Sequence, residues 1–167
     1  MNAIHLSRQD FDAYVPKVPC IGISMIDPPR WEGADRRPKI RSRLCVETLE
    51  VEPFHDIEPP DLKMVPDYVL FDQARAEAIA AFIAKHNAAG IPLVVAHCEA
   101  GISRSAAVAG AVQDYLSPWT KISSENRTWC EPLGYKSAFK TGRPNMHVYR
   151  LLVRALVAAI PGNTIHE

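Results

Sequence analysis

Leu93-Val94-Val95-Ala96-His97-Cys98-Glu99-Ala100-Gly101-Ile102-Ser103-Arg104-Ser105 passes from four apolar residues through a small polar turn into the alanine-rich run 106–112. The four apolar residues have the length and composition of a buried central strand. The small-residue segment Ser105–Leu116, stopped by Pro118, reads as a helix buried on most sides. A strand feeding a helix through a glycine-containing turn is the building unit of a parallel α/β sheet. Ligands of such sheets bind beyond the carboxyl ends of the strands, which is where His97 and Cys98 fall.

The flanking chain supports the same class. Upstream, a helix is predicted from about Asp72 to Ala89, with Phe71, Ala74, Ala78, Phe82 and Ile83 at helical spacing. Asp72 can cap its start, and Gly90 with Pro92 ends it. Residues 18–26 form an apolar run closed by Asp27-Pro28-Pro29, and 44–51 mix apolar and polar strand formers. Between them, 30–43 is polar and arginine-rich, and beyond them 52–70 holds four prolines, so both read as loops. Residues 117–144 read as an irregular polar segment. Asn145 then caps a last amphipathic helix, with Met146, Tyr149, Leu152, Val153, Leu156 and Ile160 on one face. The expectation is one α/β domain over 1–167, with a central, mostly parallel sheet flanked by helices.

The turn itself has the chemistry of an anion site. Backbone N–H groups between a strand and a helix N-terminus cradle negative charge, here along Glu99, Ala100, Gly101, Ile102, Ser103 and Arg104. Gly101 lets the backbone curl where a side chain would obstruct. Arg104 follows Cys98 by six residues and can fold back to give phosphate two parallel hydrogen bonds. The same setting favours the thiolate of Cys98. Ser105 can donate to that sulfur and make it a better leaving group, and His97 can orient the loop. Taken singly, a cysteine after a core strand is more often a small buried residue, and a lone histidine more often structural. His, Cys, Gly, Arg and Ser at five fixed positions, however, arise by chance in about one chain of this length in 10⁵.

This segment resembles the signature loop of the protein tyrosine phosphatase superfamily, HCxxGxxR followed by Ser or Thr, and its ending is most similar to the dual-specificity branch. The resemblance covers about 44–116 and extends to the closing helix from Asn145, whereas 1–43 and 117–144 map onto nothing in it. It implies a two-step hydrolysis in which Cys98 takes the phosphoryl group as a thiophosphate. An aspartic acid protonates the leaving oxygen and then activates water, and no metal or organic cofactor takes part. Three aspartates stand in the expected region: Asp56, Asp61 and Asp67. Phe54-His55-Asp56 matches the aromatic-x-Asp arrangement of small dual-specificity enzymes at the expense of a longer loop. Asp67 has the more usual separation from the cysteine.

The implied partner is a phosphorylated protein or a small phosphomonoester. Alternatives with the same chemistry are a phosphoinositide, a nucleotide or an RNA 5′-phosphate, and a non-catalytic phosphate-binding module is a further one. Rhodanese-like and arsenate-reducing proteins also carry cysteine loops, but with a different loop ending or placement. Glu99 stands where a basic residue would help a polyphosphorylated head group, which favours monoesters.

Composition sets outer bounds. Nineteen basic and nineteen acidic residues leave no net charge, so bulk nucleic-acid binding is not expected. No stretch approaches the ~20 apolar residues of a membrane span, and the first residues have no apolar core of leader length. The four cysteines, Cys20, Cys45, Cys98 and Cys130, form no CxxC pair, which argues against a zinc site and for a reducing, cytoplasmic setting. The arginines and lysines of 30–43 read as a solvated loop, as do Lys136, Lys140 and Arg143. Trp119, Trp129 and Tyr135 read as packing residues, and oligomeric state is left open.

Overall fold

Six consecutive buried residues, Leu93–Cys98, form a strand (β4) that must be covered on both faces and paired on both edges. A computed structural model describes residues 1–28, 37–57, 68–116 and 143–160 and shows how this is achieved. On one edge β4 pairs with Asn2–Ser7 (β1), and on the other with Cys20–Ser24 (β2), both in parallel. Cys45–Glu50 (β3) adds a further parallel strand beside β2, so the sheet order is β1-β4-β2-β3. β2 is buried at all five positions, whereas β3, an edge strand, has only half-buried and exposed positions.

Alternation along β4 divides the core. Val94 and Ala96 join Ile21, Ile23 and the helices Gln73–Ala88 (α2), Arg104–Leu116 (α3) and Met146–Ala159 (α4) in the main cluster. Leu93 and Val95 point the other way, onto Phe11 of the short helix Arg8–Ala13 (α1). The α/β class with helices on both faces of a parallel sheet is therefore observed. Among the described residues no helix is long and apolar enough to cross a membrane.

Helix ends follow the sequence. Asp72 caps α2 by accepting from Arg75 N, and Asn145 caps α4 by accepting from His147 N and Val148 N. α3 is almost entirely buried because its alanines and Gly110 let it lie close to β1, β4 and α4. The N-terminal β1 and α1 are additions to the expected element list. Arg37 of the arginine-rich loop is no solvated side chain: its Nη1 donates to Val51 O at 2.8 Å and its Nε lies 3.8 Å from Glu50. Asp61, Asp67, Arg30, Arg36, Trp119, Cys130 and most of 117–144 lie outside the described residues.

Candidate active site

The parallel sheet brings the carboxyl ends of its strands to one side, so Ser7, Ser24 and Cys98 finish together. Cys98, 1% exposed, lies on the face of β4 that α3 covers. Its Sγ is 3.2 Å from Ser105 Oγ, on the first turn of that helix. The sequence expectation that Ser105 can donate to the sulfur has the required geometry.

The turn between β4 and α3 is tied from outside through three carbonyls. Glu99 O accepts from Arg8 N at 3.1 Å, and Gly101 O accepts from His5 Nδ1 at 2.6 Å. Ser103 O accepts from Ala107 N at 2.9 Å and Asn145 N at 3.4 Å. Every peptide here is trans, and a trans peptide points its N–H opposite its C=O. The N–H groups of Ala100, Ile102 and Arg104 thus turn away from these anchors. Gly101 has φ +75°, and a Cβ there would run into the backbone of Leu6 and Ser7. The glycine is required both by conformation and by the close approach of β1.

Arg104 is 2% exposed and begins α3. Its Nη1 donates to Phe54 O at 2.8 Å and pairs with Asp27 Oδ1 at 2.9 Å, and the guanidinium lies 5.4 Å from the Phe54 ring centroid. Its Nε is buried without a hydrogen-bond partner, with Asp56 Oδ2 3.8 Å away. A buried guanidinium N–H left unpaired is costly, which marks Nε as a donor that an incoming acceptor would satisfy. Asp56 is held on its other oxygen by Ser103 Oγ at 2.8 Å and Asn145 Nδ2 at 3.0 Å. Asn145 therefore does more than cap α4, since it links that helix to the carboxylate. His55, next to Asp56, accepts from Val69 N at 3.0 Å and meets the Tyr68 ring edge-on at 4.6 Å.

His97 is wholly buried, with its ring 4.4 Å from Phe11. Its Nδ1–H faces Cys98 O at 3.4 Å and its Nε2 accepts from Ser24 Oγ at 2.8 Å. Burial pushes its pKa down to about 4, and the charges of Arg8, Arg104 and Arg37 push the same way. It is a neutral support that joins β4 to β2 and lies on the face away from the thiol.

Around the turn from β4 into α3, Ser105 thus meets Cys98, while Ser103, Asn145 and Arg104 surround Asp56, with Gly101 and His97 shaping the turn. Glu99 points aside: its Oε1 pairs with Arg8 Nη1 at 3.2 Å. Sequence reasoning missed His5, Ser24 and Asp27. Asp27 carried a usable signal, because it ends the apolar run of β2 at the same edge of the sheet as Cys98. Among the described residues no group of three or more His, Cys, Asp or Glu side chains could hold a metal ion. No family model, curated protein or solved structure matches this chain.

Proposed function

We propose that this protein hydrolyses phosphate monoesters through a thiophosphate on Cys98. The observation that carries this reading is the buried Arg104 Nε, without a hydrogen-bond partner and 3.8 Å from Asp56 Oδ2, on the residue beside the Ser105 that contacts Cys98. A tetrahedral oxyanion would satisfy it, together with the N–H groups of Ala100, Ile102 and Arg104.

The Cys98 thiolate attacks phosphorus, the ester P–O bond breaks, and the leaving oxygen takes a proton from Asp56. Water then gives a proton back to Asp56 and attacks the same phosphorus. The S–P bond breaks, and the Ser105 hydroxyl stabilises the departing thiolate. Arg104 holds the equatorial oxygens throughout, in an orientation preset by Asp27 and Phe54 O. The substrate class that fits is a phosphotyrosine-bearing or dual-specificity phosphoprotein. Glu99 paired with Arg8 and a loop without lysine suit a monophosphate better than a polyphosphorylated head group.

The test is turnover of an aryl phosphate in EDTA by the full chain, with Cys98→Ser and Arg104→Lys alongside. A serine hydroxyl stays protonated, and a lysine cannot supply two parallel donors, so each variant falls below about 1% while the fold is retained by circular dichroism. Vanadate inhibits the parent protein and still binds Cys98→Ser. Turnover above a few per cent in Cys98→Ser, or a requirement for Mg²⁺, overturns the mechanism.

A further inference from the structure

A pair of thiols lies at the opposite end of the sheet from Cys98. Cys20 opens β2 and Cys45 opens β3, and the two are Cα partners across the parallel ladder. Neighbouring strands run about 4.8 Å apart, inside the range of about 4.4–6.8 Å that a disulfide spans between Cα atoms. Register partners in a parallel ladder also share a face. Cys20 belongs to the small cluster of Phe11, Leu93 and Val95, and Cys45 packs against that cluster.

Two further details distinguish this pair from two core cysteines that happen to be neighbours. The ladder shifts immediately after it, Ile21 pairing with Glu47, so Val46 is an extra residue. Such a bulge gives the strand end room to adjust as a bond forms. The thiols are also unlike each other. Cys20 is fully buried, whereas Cys45 is partly exposed with its Sγ 3.6 Å from both Thr48 Oγ1 and Glu47 O. A hydrogen bond from Cys20 holds the Cys45 thiol below its ordinary value, with Thr48 adding to the effect, while the same contact and burial push Cys20 up.

We propose that Cys20 and Cys45 are a redox-active dithiol that closes to a disulfide under hydroperoxide, Cys45 reacting first and Cys20 resolving. The Cys45 thiolate attacks one peroxide oxygen, the O–O bond breaks, and hydroxide leaves, giving a sulfenic acid. The Cys20 sulfur then attacks the Cys45 sulfur, and the sulfenic oxygen departs as water with the Cys20 proton. The two thiols lose two electrons in all, and the hydroperoxide is reduced to water, or to an alcohol and water. Cys20 aligns with Leu93, five residues before Cys98 along β4, so this chemistry lies about 16 Å from Cys98. It does not depend on the hydrolytic reading. The bond would close the segment 20–45, which carries Asp27 and Arg37, and clip β2 to β3.

The experiment uses the full chain carrying Cys98→Ser, treated with a slight excess of hydrogen peroxide, alkylated with iodoacetamide and mapped by peptide mass spectrometry. The expected product is a Cys20–Cys45 linked peptide, lighter by two hydrogens and reversed by dithiothreitol. Closing a loop of this length raises Tm by about 10 °C. In Cys20→Ser the reaction stops at a Cys45 sulfenic acid that dimedone traps, and in Cys45→Ser no adduct forms at Cys20. Recovery of both cysteines alkylated after peroxide, or linkage of either one to Cys130, overturns the proposal, and neither outcome bears on phosphate hydrolysis.

Discussion

Replacing Asp56 by Asn removes a proton donor and leaves most of its surroundings in place. Oδ1 accepts from Ser103 Oγ at 2.8 Å and from Asn145 Nδ2 at 3.0 Å, and an amide oxygen can accept both. The other oxygen faces Arg104 Nε at 3.8 Å, and that attraction is lost. Arg104 keeps Asp27 at 2.9 Å and Phe54 O at 2.8 Å, so no unpaired buried charge results. The stability cost is therefore about 1–2 kcal/mol, close to what removing one partner of a charged contact costs when another remains. For a chain of this size that lowers Tm by about 2–8 °C. Catalysis should suffer much more. A general acid contributes about 10²–10⁴-fold when the leaving group needs a proton. Phosphotyrosine, whose phenol has a pKa of about 10, should lose that factor, while an aryl phosphate with a strongly acidic phenol should lose less than about 10-fold. The assay is kcat against leaving-group pKa for a series of aryl phosphates, shallow for the parent protein and steep for Asp56→Asn. Equal losses across the series would refute proton donation by Asp56 and leave it a positioning role. A steep dependence in Asp67→Asn instead would move the acid to that residue.

Ser105→Ala removes the hydroxyl 3.2 Å from the sulfur, so the thiophosphate should build up and turnover should fall about 10- to 100-fold, visible as a burst of phenol release. No burst and an unchanged kcat would exclude that role. Gly101→Ala forces a side chain into φ +75° and against the Leu6 and Ser7 backbone. Its expected cost is about 2–4 kcal/mol in denaturant unfolding, together with loss of phosphate binding. A variant as stable as the parent would show that the turn relaxes freely. Buried His97 contributes a stability that is complete above its unfolded pKa of 6.5 and is lost as pH falls towards its folded value of about 4. The loss is about 3 kcal/mol. His97→Asn should be less stable at pH 7 yet lose correspondingly less between pH 6.5 and 4, and identical pH slopes would contradict the assignment.

The parts of the fold legible in the sequence are those whose signal is local. The run 18–26 contains β2 at Cys20–Ser24, and 44–51 contains β3 at Cys45–Glu50. The caps at Asp72 and Asn145 fix the starts of α2 and α4 to the residue. The grouping of Cys98, Arg104 and Ser105 was legible because one short turn between β4 and α3 carries all three. β1 was not. In Asn2–Ser7 only Ala3 is buried, and neither apolar alternation nor a continuous apolar run marks the segment. It is a strand because β4 has an open edge and six residues of N-terminal backbone lie alongside, from Asn2 at Leu93 to Ser7 at Cys98. Pairing overrides a weak propensity of this kind, and no local window contains the partner.

The residues missed at the site follow from the strand order, which no local window contains. With β1 beside β4, His5 reaches Gly101 O and Arg8 reaches Glu99, so the outer wall of the loop comes from a segment more than 90 residues earlier in the chain. With β2 on the other side of β4, Ser24 reaches His97 and Asp27 reaches Arg104. The order β1-β4-β2-β3 therefore places two early strands on either side of the loop, each supplying a polar side chain to the turn that follows β4. Gly101 was predicted from the turn alone, but the backbone that excludes a side chain there belongs to Leu6 and Ser7. The local motif supplies the groups that the proposed hydrolysis uses, and the sheet order supplies their anchors. The second contribution becomes visible only when β1 and β2 are seen to flank β4.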